Sequence, residues 1–196
     1  MNISPEQLKK IFPNVRDDKA KRYSEAFNRV MPRYNMDAKR LAAFLGQIGV
    51  ESGELRFDKE LPSKWNKRNI SDPNEPVGSL YEGRRNLGND QVGDGPKFIG
   101  RGVLQITGRA NYTLYSRKVG FDLLANPELA CNPEIATRIA CEYFQDRGLF
   151  ELADKWDLEE ITRRVNGNQK LHLKERIMYS NRALEVLQNS ATVLNS

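Results

Sequence analysis

Glu51 is the residue whose type and place first point to chemistry. Leu41, Phe44, Leu45 and Ile48 recur at the i, i+3, i+4, i+7 spacing of one helix face. Glu51 continues that series, three residues beyond Ile48 and seven beyond Phe44. A carboxylate in phase with an apolar face is costly. The helix is expected to run from about Asp37 to Ser52, with Gly53 ending it. Glu51 therefore also lies at the negative end of the helix dipole. Desolvation and the dipole both disfavour its ionised form. A carboxyl that keeps its proton near neutrality is what a general acid needs. Periodicity alone also allows a Glu that bends out to solvent or pairs with an arginine.

Gln105 and Thr107 form a second candidate pair. Six of the chain's 14 glycines fall in residues 83–102, and Val103-Leu104-Gln105-Ile106-Thr107 follows. The glycines read as a loop and the next five residues as a short strand. Alternation puts Leu104 and Ile106 in the core and Gln105 and Thr107 on the other face. An amide beside a hydroxyl suits sugar hydroxyls, acetamido groups or a water. A plain solvated face would read the same way.

Helical signals dominate the elements that must carry these groups. Ser4, Pro5 and Gln7 combine an N-cap, a first-turn proline and a capping box. A charged helix over 17–31 carries Tyr23, Phe27, Val30 and Met31. Asn132-Pro133 starts another, with Ile135, Ile139 and Tyr143 near helical spacing. Asp157 and Glu160 cap a helix that Asn166-Gly167 closes, and a last amphipathic helix runs from about Leu171. The expected fold is mainly α, with one small central β element and a substrate cleft, as a single domain over residues 1–196.

Composition narrows the function classes. In 196 residues, 39% are hydrophobic and 29% charged, enough for one packed core and too polar for a membrane protein. No stretch approaches 18 uncharged apolar residues, so no stable membrane insertion is expected. The formal charge of +5 favours an anionic partner. The basic residues are scattered rather than blocked, which argues against nucleic acid. Two cysteines, Cys131 and Cys141, are too few for a disulfide framework and are expected as free thiols. With a single histidine, His172, no zinc cluster and no His-based triad is expected, nor any metal or cofactor. Met1-Asn2-Ile3-Ser4-Pro5 lacks the basic and apolar regions of a secretory signal, so the chain is expected to be made in a cytosol.

These signals fall within one longer pattern. Phe98-Ile99-Gly100-Arg101-Gly102-Val103-Leu104-Gln105-Ile106-Thr107-Gly108-Arg109-Ala110-Asn111-Tyr112 resembles the signature of family 19 glycoside hydrolases, which comprise plant-type chitinases and related phage lysozymes or endolysins. Gln47-Ile48-Gly49-Val50-Glu51-Ser52-Gly53 resembles the helix end that carries that family's catalytic acid. Asp122-Leu123-Leu124-Ala125-Asn126-Pro127-Glu128-Leu129 and Ile161-Thr162-Arg163-Arg164-Val165-Asn166-Gly167 also match, and Glu175-Arg176 does so less specifically. The match covers roughly residues 38–187.

The resemblance implies a lysozyme-like fold and hydrolysis with inversion, with Glu51 as general acid. An inverting enzyme needs a second carboxylate, about 6.5–9.5 Å from the first, to activate water. Glu60 aligns with a Glu of the phage branch, and Glu82 with the chitinases' second Glu. Glu60 is placed slightly ahead. The spare one could hydrogen-bond sugar or pair with Arg84 or Arg101. Thr107 matches the residue that holds the nucleophilic water. Gln105, Asn111 and Asn166 match sugar-binding positions, and Arg176 matches one that pairs with the acidic centre. Ala110 replaces the chitinases' aromatic residue before the signature Asn, Val50 precedes the acid, and the chitinase disulfides are missing.

Each departure points to the phage branch. The resemblance thus implies a monomeric endolysin that cuts the β-1,4 bonds of bacterial peptidoglycan glycan strands and lyses the host cell. It would be made in the host cytoplasm and act on the wall in the periplasm, with a holin-type membrane pore as the family's release route. A chitinase of the same fold and a non-catalytic wall- or nucleic-acid-binding module are the alternatives. Trp65 and Trp156 suit either sugar stacking or packing, and Arg84, Arg85, Arg101 and Arg109 either wall contact or loop solvation.

Overall fold

The computed structural model describes residues 2–193, with side chains to residue 189. It contains two compact units. One is built from the chain up to Arg56 together with the chain from Ala140 onward, the other from Phe57–Ile139. The first holds α1 (Pro5–Ile11), α2 (Asp17–Val30) and α3 (Ala38–Glu51). The second holds α4 (Asp94–Lys97) and α5 (Arg109–Val119). Helix α6 (Pro133–Asp146) begins in the second unit and ends in the first. Helices α7 (Leu149–Asp154), α8 (Leu158–Asn166) and α9 (Leu173–Val193) complete the first unit. No helix among the described residues is long and apolar enough to cross a membrane.

Local signals explain most helix ends. Ser4 and Gln7 form the expected capping box at α1. Asp37 accepts the Arg40 N–H at 2.8 Å and starts α3, and Asp157 accepts the Glu160 N–H at 3.0 Å and starts α8. Every residue of α3 from Leu41 to Gly49 is buried. Around it Phe44 meets Phe144 with ring centroids 5.1 Å apart, and Phe144 meets Phe150 at 5.5 Å.

Gly46 sets the distance between α3 and α9. A Cβ there would lie 2.7 Å from the Arg176 carbonyl oxygen and 1.9 Å from Ser180 Oγ. Its missing side chain lets the two helices approach closely, which brings the Arg176 side chain onto the C-terminal half of α3.

In the second unit the expected strand is absent. Residues 102–105 form turns, and the described residues show only isolated antiparallel bridges, Lys59 to Arg101 and Arg101 to Ile106. Gln105 has a left-handed backbone, with φ of 52°. The chain therefore doubles back between Arg101 and Ile106, and strand alternation does not apply. Val103 and Ile106 are buried, while Leu104 is only half-buried. Arg101 anchors the turn from inside. It is 5% exposed, and its guanidinium donates to Glu128 at 2.8 Å, to the Tyr112 hydroxyl at 2.9 Å and to the Lys97 carbonyl at 2.9 Å. Of the four arginines offered for wall contact, Arg101 is thus a core residue. Arg109 is held in a bidentate pair with the buried Asp94, while Arg84 and Arg85 are exposed.

Candidate active site

Glu51 ends α3 with its side chain 24% exposed. Its Oε1 accepts from Arg176 Nη2 at 2.5 Å. Arg176 is 1% exposed, so its charge must be answered inside the protein. The same guanidinium donates through Nη1 to Gln47 Oε1 at 2.8 Å and through Nε to the Leu171 carbonyl at 3.2 Å. Gln47 and Glu51 lie one helical turn apart, so a single planar fork reaches both. Gln47 Nε2 in turn donates to the buried Thr162 hydroxyl at 3.3 Å. The carboxylate is therefore held by a chain that runs from α8 through α3 to α9.

A cavity of about 360 Å³ opens beside it, lined by Glu51, Glu54, Asn166, His172, Glu175 and Arg176 among others. Asn166 Oδ1 accepts the Leu171 N–H at 2.7 Å, which fixes the amide at the cavity wall. Gly53, Glu54 and Leu55 all have left-handed backbones, with φ of 57°, 63° and 62°. Glu54 holds this turn in place. It accepts the Asn14 N–H at 2.7 Å, Asn14 Nδ2 at 2.8 Å and the Tyr179 hydroxyl at 2.7 Å. Burial works against its charge, yet the donors from Asn14 and Tyr179 prevail and hold its carboxyl below the usual range.

The second unit places Glu60, Gln105 and Thr107 around one glycine. Glu60 Oε1 accepts the Gly100 N–H at 2.7 Å, and the Glu60 N–H donates to the Gly100 carbonyl at 3.0 Å. A methyl group on Gly100 would come within 3.0 Å of Gln105 Oε1 and 3.3 Å of Thr107 Oγ1. Glu60 Oε2 also accepts from Asn66 Nδ2 and from the Tyr81 hydroxyl, both at 2.9 Å. Burial, reinforced by the Glu60 charge, pushes the Tyr81 phenol well above its ordinary value, so it remains a donor. Thr107 Oγ1 donates to the Gln105 carbonyl at 3.0 Å, and Asn111 Nδ2 donates to the Thr107 carbonyl at 2.8 Å. Asn111 thereby fixes the backbone on which the Thr107 hydroxyl stands.

Glu82 is placed elsewhere. Its Oε1 accepts the Gly93 N–H at 2.7 Å and its Oε2 the Gly95 N–H at 2.8 Å. It fastens the turn into α4 and pairs with neither Arg84 nor Arg101 in any described hydrogen bond. Among the described residues no group of His, Cys, Asp and Glu forms a metal-binding cluster.

The family model for class I chitinases of glycoside hydrolase family 19 matches residues 23–146, more than half of the chain. The chain belongs to glycoside hydrolase family 19. A family 19 domain-containing protein of Haemophilus influenzae is 30% identical over 186 residues, covering 85% of this chain and 88% of that one. Chitinase C of Streptomyces griseus superposes with a TM-score of 0.68 at 19% identity, over 95% of this chain and 92% of the other. A class IV chitinase of Zea mays gives 0.64 at 19% identity, over 95% and 92%. The mainly helical, lysozyme-like architecture of this family 19 glycoside hydrolase is therefore that of its relatives.

Two residues of this family 19 enzyme carry no clear signal in the sequence. Gln47 stands four residues before Glu51, and that spacing is the available clue. Glu54 lies just past the end of α3, and nothing near it in sequence announces its partners Asn14 and Tyr179. Cys131 and Cys141 are both free thiols; Cys141 is buried and Cys131 half-buried.

Proposed function

We propose that this family 19 glycoside hydrolase is an endolysin that cleaves β-1,4 bonds of bacterial peptidoglycan by single displacement with inversion. Glu51 gives its proton to the glycosidic oxygen as the bond to the sugar C1 breaks. Glu60 takes a proton from the water that attacks C1 from the opposite face, and the Thr107 hydroxyl orients that water. The observation that carries the choice of base is the convergence of Glu60, Gln105 and Thr107 on Gly100, which Glu82 does not share. A carboxylate has about four acceptor positions. Three donors occupy Glu60, which leaves one for a water proton. Gln105, Asn111 and Asn166 offer amides to the sugar's acetamido and hydroxyl groups.

The charge of +5 and the departures at Val50 and Ala110 support a peptidoglycan substrate. On this reading the enzyme is made in the host cytoplasm and reaches the wall through a holin-type pore. Chitin is the second reading, favoured by the likeness to solved structures named as chitinases. Turbidity of outer-membrane-permeabilised bacteria, run beside release of chitin oligosaccharides, decides between them. Clearing of the cells with a new reducing end on the glycan is the expected result. Cleavage of chitin alone would overturn the peptidoglycan reading.

A further inference from the structure

Asn66 and Tyr81, which bond Glu60, bring with them two cation–aromatic pairs, one on the exposed Trp65 and one on the half-buried Tyr81. Trp65 precedes Asn66, whose amide bonds Glu60, and is 74% exposed. The Lys64 ammonium lies 4.9 Å from its ring centroid. Tyr81, whose hydroxyl also bonds Glu60, has the Arg84 guanidinium 5.7 Å from its ring centroid. Lys64 and Arg84 are both exposed. The two segments are tied together, since the Asn66 carbonyl accepts the Gly78 N–H at 2.8 Å and the Arg68 N–H donates to Ser79 Oγ at 3.1 Å.

A large indole left in water has a cost that folding does not recover, and its open surface matches the apolar C–H face of a pyranose ring. A neutral glycan would need only such stacking platforms. Here each aromatic ring carries a cation, and both pairs sit on the two segments that hold the same carboxylate. Lys64 and Arg84 thus stand where they can take up carboxylates attached to a glycan, while Trp65 takes the sugar ring.

We propose that Lys64, Trp65, Tyr81 and Arg84 form a recognition surface for a glycan with pendant carboxylates. Trp65 stacks on a sugar, and the two cations bind acidic substituents such as the carboxylates of peptidoglycan stem peptides. The proposal rests on the peptidoglycan reading for the identity of those carboxylates, but not for the geometry of the surface.

The test is co-sedimentation with insoluble peptidoglycan sacculi, with sacculi whose carboxylates are capped as neutral amides by a carbodiimide and glycinamide, and with insoluble chitin. It uses the full chain carrying Glu51→Gln, at low salt and at about 0.3 M salt, where exposed charge interactions are largely screened. In that background Trp65→Ala should weaken binding to all three by about threefold to tenfold, and Trp65→Phe should restore part of it. The double variant Lys64→Ala/Arg84→Ala should weaken binding to intact sacculi only and remove its salt dependence. All four positions are surface residues or half-buried, and an unchanged Tm checks that each variant is folded. Equal losses on chitin and on intact sacculi for the double variant would overturn the charge assignment. Unchanged binding by Trp65→Ala would overturn the surface altogether. If the unsubstituted chain releases nothing from sacculi while the binding pattern holds, the endolysin reading falls and the surface stands. If it cleaves sacculi and both variants bind like their parent, the surface falls and the endolysin reading stands.

Discussion

Arg176 on α9 donates to Glu51 at the end of α3 across 125 residues of sequence, at 2.5 Å. One guanidinium serves both Glu51 and Gln47, and it is buried. The proposed acid is thus not an isolated carboxylate on an apolar face but one arm of an ion-paired chain that fixes its position.

Arg176 should therefore matter to both stability and turnover. Arg176→Ala leaves Glu51 and Gln47 without their donor and should cost about 3 kcal/mol, seen as a lowered Tm. Arg176→Lys keeps the charge but not the two-armed fork. It should fold, with kcat reduced about tenfold or more and KM little changed. Full activity of the lysine variant would show that charge alone suffices.

Glu51→Gln should abolish cleavage, since loss of a general acid costs about 10²–10⁴-fold or more. On an apolar helix face with no partner, the place that periodicity alone gives it, removal of this carboxylate would be neutral or stabilising. The pair with Arg176 reverses that expectation. Leaving a buried guanidinium facing an amide should lower stability by about 1 kcal/mol. Wild-type lysis by the purified variant would remove Glu51 from the mechanism.

The two candidate bases separate by substitution. Glu60→Gln should lose far more activity than Glu82→Gln, because only Glu60 adjoins Gly100 with Gln105 and Thr107. Azide should restore turnover in Glu60→Gln alone, giving a glycosyl azide of inverted configuration. A dead Glu82→Gln beside a near-normal Glu60→Gln would move the base to the turn at Gly93–Gly95.

Thr107→Ala should lower kcat more than it raises KM, since a hydroxyl that orients attacking water acts in the transition state. The Thr107 carbonyl that Asn111 holds is untouched by this change, so Tm should move little. A raised KM at constant kcat would make Thr107 a sugar contact instead.

Stability should fall on the acid side of the carboxylate range. The Lys59 hydrogen bond, with help from Arg101, holds the Glu128 carboxyl down at about 2. The Arg109 guanidinium holds Asp94 below its ordinary value. Both groups have lower values folded than unfolded. Their contribution is therefore present above the ordinary carboxylate range and is lost as pH falls through the folded values. Tm measured from about pH 6 to about pH 2 should drop mainly below about pH 4.5. Asp94→Asn should flatten that drop more than Glu128→Gln. The Asp94 side chain is 2% exposed and that of Glu128 57%, so water screens the second pair. An unchanged pH profile in Asp94→Asn would contradict the assignment.

What the sequence determined by itself is local. The capping box at Ser4 and Gln7, the Asp37 and Asp157 caps and the apolar stripe of α3 depend on residues within a turn or two of each other. Each is found where the pattern puts it. Helix α5 escaped that reading because its buried positions, Tyr112, Tyr115 and Val119, are few, Leu114 is exposed out of phase with them, and Gly108 is a weak start signal. The false strand at 103–107 has a similar cause. Alternating apolar residues fit both a strand and a tight turn, and only the bridges at Arg101 and the left-handed Gln105 distinguish them. The resemblance to a family placed Arg176 at the acid, whereas no local pattern in α9 does. Tertiary structure decided the rest. Whether Glu51 faces solvent or a guanidinium depends on how closely α9 approaches α3, which the absent side chain of Gly46 permits. Whether Glu60 or Glu82 stands with Thr107 depends on which N–H group, Gly100 or Gly93 and Gly95, each carboxylate reaches. Such long-range pairings are set by packing across the fold, and residue spacing along the chain carries no record of them.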